Sequence, residues 1–190
     1  MADAAEVRAG EAQAEARYQA LLEEIRAEFP RFKIIVKSRS RLHRAIHHFL
    51  RVVTFGGMTA YLNGYQTTIG ARVYVTDDWD GRSANIRYCT MRHELIHIRQ
   101  FRKFTLPGMA LLYVLLPLPL GLAYFRARFE WQAYTESIRA NYEVHGRERV
   151  EADWFRESII SQFTGPAYGW MWPFRKQLER WYDLALAELS

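Results

Sequence analysis

Two histidines four residues apart, with a glutamate directly after the first, stand in His93-Glu94-Leu95-Ile96-His97. On a helix, residues four apart share one face, so both imidazoles can reach one ion while Glu94 lies near the ion's open side. Leu95, Ile96 and Ile98 supply the apolar surface that seats such a helix. The donors suit Zn²⁺, which takes imidazole nitrogen at roughly 2.0–2.1 Å in tetrahedral sites. Zinc lowers the pKa of a bound water to about 7, and a carboxylate beside it can then act as general base. The motif therefore points to metal-assisted hydrolysis, with His93 and His97 as ligands and Glu94 as the base.

A catalytic zinc needs a third protein ligand and keeps its fourth position for water. The short solution, a histidine six residues after His97, fails because Lys103 stands there, and Gln100 occupies the place of the glycine in that pattern. The ligand must come from farther along. Glu130, in Arg128-Phe129-Glu130-Trp131-Gln132-Ala133-Tyr134, sits in a helical pattern with Ala133 three places on. That small residue shares nearly the same face and would let the two helices approach closely. Glu136, then His145 and Glu143, are the alternatives. Tyr134, His145 and Tyr168 are the candidates for a further donor to the oxyanion of a tetrahedral intermediate.

With HExxH followed by a helix carrying E-x-x-A, residues 58–145 resemble the gluzincins, particularly their compact, minigluzincin-like members. The resemblance implies an α+β, zincin-like fold: a small antiparallel or mixed sheet packed on the HExxH helix, and a mainly helical C-terminal part. It implies a Zn²⁺-dependent metallopeptidase with His93, His97 and Glu130 as ligands and Glu94 as general base and proton shuttle. It also implies that the strand at Arg72-Val73-Tyr74-Val75 pairs with an extended peptide substrate. The chain departs from the family's common E-x-x-x-D form, since Tyr134 stands where the aspartate would be. The carboxylate that would orient a ligand imidazole is therefore unassigned.

The elements that must position these groups are legible in outline. Residues 3–29 read as a helix with Tyr18, Leu21, Leu22, Ile25 and Phe29 on one stripe, ended by Pro30. A short strand follows at residues 33–36, then a helix over 42–53 that Ser40 can cap. Between 58 and 79 the pattern turns to β, with an Asn63-Gly64 hairpin signal and a break at Gly70. A helix should begin near Ser83 to Ile86 and run through Phe101. Residues 147–163 and 174–189 also read as helices, joined by an aromatic loop over 165–173. At 190 residues the expectation is an N-terminal helix (1–30) and one metallopeptidase domain (31–190).

Residues 106–125 carry no charge, long enough to suggest a membrane span, but Pro117 and Pro119 divide the run and both flanks are basic. If His97 and Glu130 hold one ion, this segment must leave and return on the same side, because a spanning helix would carry its ends roughly 30 Å apart. A helical hairpin insertion at about 105–125 is expected, bent at Pro117-Leu118-Pro119, dipping into one leaflet or covering the cleft. The net charge of +5 is concentrated in residues 31–51, which contain no Asp or Glu. Such a block favours a polyanion, so an anionic membrane surface touched through 31–51 and 105–125 is the expected partner beside a peptide or protein substrate, ahead of nucleic acid. The single Cys89 excludes an internal disulfide, and the N-terminus lacks a signal-peptide core. A cytoplasmic or peripherally membrane-bound location follows as the expectation. The rivals are a nucleic-acid-associated metallopeptidase and a non-enzymatic scaffold with structural or absent zinc. His43 and His47 form a second i, i+4 pair without an acidic or cysteine partner, read as structural.

Overall fold

The computed structural model describes residues 4–40, 66–109, 111–112, 123–165 and 171–189. Among the described residues the chain is α+β and mostly helical, with one three-stranded mixed sheet. It divides into two compact units, Met1–Tyr88 and Cys89–Ser190.

The first unit opens with α1 (Ala4–Glu28). Its C-terminal half buries Tyr18, Leu21, Leu22 and Ile25, the stripe that the three- and four-residue spacing predicts, while the Ala/Glu/Arg-rich start is exposed. Tyr18 meets the Trp79 side chain, and burial raises its phenol pKa. Strands β1 (Lys33–Val36), β2 (Thr67–Ile69) and β3 (Arg72–Val75) form the sheet in the order β1-β3-β2. β1 runs parallel to β3, with Ile34 opposite Val73, and β2 runs antiparallel, with Thr68 opposite Val73. Gly70 and Ala71 connect β2 to β3; Gly70 has φ +61°, the left-handed geometry a tight two-residue hairpin turn demands at its first position.

β3 is the central strand, with Val73, Tyr74 and Val75 buried. The expectation that it pairs with an extended substrate is corrected by this topology, because β1 and β2 already take both of its hydrogen-bonding edges.

Helix α2 (Ala84–Met109) begins in the first unit, where the Ile86 N–H donates to the Ser83 hydroxyl at 3.4 Å as an N-terminal cap. It continues into the second unit past the expected end at Phe101. A kink at Thr105 (φ 60°, ψ 170°) precedes Pro107, whose ring cannot follow a regular turn. Beyond it lie α3 (Tyr124–His145), α4 (Arg147–Glu151), α5 (Asp153–Thr164) and α6 (Arg175–Ala187). Gly146, at φ +78°, ends α3, its N–H returning to the Tyr142 carbonyl at 2.8 Å. Residues 147–163, expected as one helix, are two: Ala152 is extended (φ −64°, ψ 132°) and its carbonyl accepts from the Phe155 and Arg156 amides that open α5. The core of this unit gathers Ala127, Trp131 and Ile138 of α3, Val150 of α4, Phe155, Ile159, Ile160 and Phe163 of α5, and Leu178, Tyr182 and Ala185 of α6. The Tyr182 hydroxyl is satisfied inside it by the Val150 carbonyl at 2.7 Å.

The helix expected over 42–53, the Asn63-Gly64 hairpin, the bend at Pro117-Leu118-Pro119, His43, His47 and Tyr168 lie outside the described residues. Among the described residues, no helix is long and apolar enough to cross a membrane.

Candidate metal centre

Cross-contacts between α2 and α3 run in opposite orders along the two helices. Arg92 reaches Glu136 and Glu143, His93 reaches Ser137, His97 faces Glu130, and Gln100 meets Phe129. The helices are therefore antiparallel, and the chain reverses between them, as a shared ion at His97 and Glu130 requires. Ala133, fully buried, is the small residue at this contact. Arg92 binds Glu143 through Nη1 at 2.8 Å and also pairs with Glu136, so both alternative glutamate ligands are engaged one turn or more from the cluster.

His93, His97 and Glu130 converge: one donor atom from each lies within 4.8 Å of the other two. The two Nε2 atoms are 3.2 Å apart, and Glu130 Oε2 is 3.8 Å from His93 Nε2 and 3.7 Å from His97 Nε2. Two nitrogens bound to one zinc at tetrahedral angles stand roughly 3.3 Å apart, so the imidazole spacing already fits a shared ion. Two imidazoles and a carboxylate are also a donor set of catalytic zinc sites, which leave one position open. His97, Glu94 and Glu130 are buried, and His93 is partly so.

Electrostatics divide the two histidines. Burial, then the neighbouring charge of His97, depress the His93 pKa to about 3, the Glu130 carboxylate opposing only in part. Burial also opposes charge on His97, but Glu130 outweighs it, and with Glu94 and Gln100 holds the pKa at about 9. The two Nε2 atoms, 3.2 Å apart, thus have opposite tendencies: the surroundings favour a proton on His97 and disfavour one on His93. Ser137 orients the other side of His93: its hydroxyl donates to the Ala133 carbonyl at 3.2 Å and so accepts from His93 Nδ1 at 3.0 Å.

Tyr134 stands beside this group, its ring 4.8 Å from that of His93 and 5.5 Å from that of Phe163. His145 does not join it: fifteen residues after Glu130 on the same helix, it is exposed and roughly 22 Å away along the axis. The sequence reading missed Ser137 and Arg92 as supports of the site and treated Gln100 only as a departure from a pattern. The available signal was helical phase, since Ser137 is seven residues from Glu130 and Gln100 three from His97. Comparison of the chain with protein-family models, with curated proteins and with solved structures gives no match.

Proposed function

We propose that the chain is a zinc-dependent metallopeptidase of gluzincin-like, zincin-like character, hydrolysing peptide bonds with Glu94 as general base. The observation that carries this reading is the convergence of His93 Nε2, His97 Nε2 and Glu130 Oε2 from two antiparallel helices, with Glu94 buried next to His93. His93, His97 and Glu130 would hold the zinc, which when bound acidifies a water and polarises the scissile carbonyl. Glu94 takes the proton from the attacking water and returns it to the leaving amine, so one carboxylate serves as base and then as acid. Its burial keeps that proton from exchanging freely with bulk water and strengthens its field at the reacting atoms. Ser137 holds the His93 ring in a fixed orientation throughout. Among the described residues, Tyr134, beside His93, is the oxyanion donor candidate that lies at the cluster.

Zinc content and cleavage of a broad peptide panel, measured on the wild type and on Glu94→Gln, test the proposal. The expected result is equal zinc in both proteins, with cleavage by the variant reduced at least about 10²-fold. Stoichiometric zinc with no cleavage by either protein would assign the metal a structural role instead.

A further inference from the structure

We propose that Gln100 is the residue that presents His97 to the metal, acting through its amide oxygen; this rests on the metal site proposed above. The Phe129 carbonyl can only accept a hydrogen bond, and Gln100 Nε2 lies 3.0 Å from it. The same nitrogen lies 3.0 Å from Gln132 Oε1, so both amide hydrogens are directed at α3. That fixes which end of the amide is which. Oε1 must then face His97 Nδ1, at 2.9 Å, and because an amide oxygen cannot donate, Nδ1 carries the hydrogen.

His97 Nε2 is thereby left as the nitrogen turned toward His93 and Glu130. Gln100 is itself only 5% exposed, so the amide cannot turn over to satisfy itself with water. Two bonds donated to α3, one to the Phe129 backbone carbonyl and one to the Gln132 side chain, thus lock the acceptor that locks the imidazole. A neutral amide does this without adding a third carboxylate to a pocket that already buries Glu94 and Glu130. The departure from the family's aspartate at Tyr134 therefore has a physical replacement: neutral oxygens from Gln100 and Ser137, one for each histidine.

Two substitutions separate presenting His97 from merely tying α2 to α3. Gln100→Leu removes both functions, whereas Gln100→Glu keeps an acceptor for His97 Nδ1 but cannot donate to the Phe129 carbonyl. Zinc affinity is read by competition with a chromophoric chelator, alongside metal-free thermal melting. The expected result is affinity about 10–100-fold weaker in Gln100→Leu, with Gln100→Glu weakened by less than about 10-fold because it keeps the acceptor for His97 but loses the bonds that lock it. The proposal is overturned if Gln100→Leu binds as tightly as wild type, or if Gln100→Glu is as weak as Gln100→Leu, which would make the residue a tether only. Should Gln100→Leu not fold, the Gln100→Glu affinity decides alone. A wild type that takes up no zinc would instead sink the metal-site reading itself.

Discussion

Helix α3 has two faces that do opposite things. One carries Glu130, Ala133 and Ser137 against α2, where the Ser137 hydroxyl lies at hydrogen-bonding distance from His93 and the Ala133 carbonyl, and Glu130 Oε2 stands 3.7 and 3.8 Å from the two imidazole nitrogens. The other carries Ala127, Trp131 and Ile138 into an apolar core built with α4, α5 and α6. Burial on the core face is favourable for every atom, at about 1.5–3 kcal/mol for a large apolar side chain. On the polar face each buried group costs free energy unless its partner is in place. The core face can thus hold the polar face at a spacing that a metal or a proton satisfies. Tyr134 joins the two, packing on His93 from one side and Phe163 from the other.

The comparison breaks most readily by emptying the core. Leu178→Ala, in the apolar core on α6, should lower unfolding stability by about 2–5 kcal/mol while zinc affinity at a temperature where the protein stays folded is unchanged. A parallel fall in affinity would mean that the faces are not separable. The converse variant, Glu130→Ala, should weaken zinc binding by more than the roughly 100-fold that loss of an orienting partner brings, read by equilibrium dialysis. Ala133→Leu attacks the contact between α2 and α3. Overpacking there should cost about 1–3 kcal/mol in denaturant unfolding and push Glu130 away from the imidazoles, so zinc affinity should fall with it.

The most gradual expected shift is with pH, at most about 1.4 kcal/mol per pH unit for one proton. His97 has a raised native pKa, so its contribution is complete below the ordinary value of 6.5 and is lost as pH rises toward 9. His93 has a depressed one, so the unfolded chain binds the extra proton between 6.5 and 3, and stability falls as pH drops through that window. Calorimetry on the metal-free protein should therefore find this pair's contribution greatest near pH 6.5. Zinc, which replaces the proton, should remove the alkaline decline.

The same contrast explains what was legible in the sequence. Periodicity reports burial, so the stripe of α1, the strand at Lys33–Val36 and the helical pattern around Glu130 could all be read from residue types. The start of α2 was readable because Ser83 is a capping residue. The break at Ala152 was not, since alanine carries no helix-stop signal and the extended backbone there is set by tertiary packing. The central position of β3 was hidden for a similar reason: a strand's neighbours are fixed by topology, not by its own four residues. At the site, the HExxH spacing alone placed His93 and His97 on one helical face, where their Nε2 atoms stand 3.2 Å apart. Gln100 and Ser137 stayed invisible because a glutamine or serine acquires its role from the carbonyl it faces, here those of Phe129 and Ala133.

The central claim is that one ion binds between α2 and α3, and anomalous X-ray scattering at the zinc edge from crystals of the zinc-loaded protein tests it most directly. The account predicts a single zinc peak bonded to His93 Nε2, His97 Nε2 and a Glu130 carboxylate oxygen, each at roughly 2.0–2.2 Å. An empty cluster at saturating zinc, or zinc bound without Glu130, would contradict it.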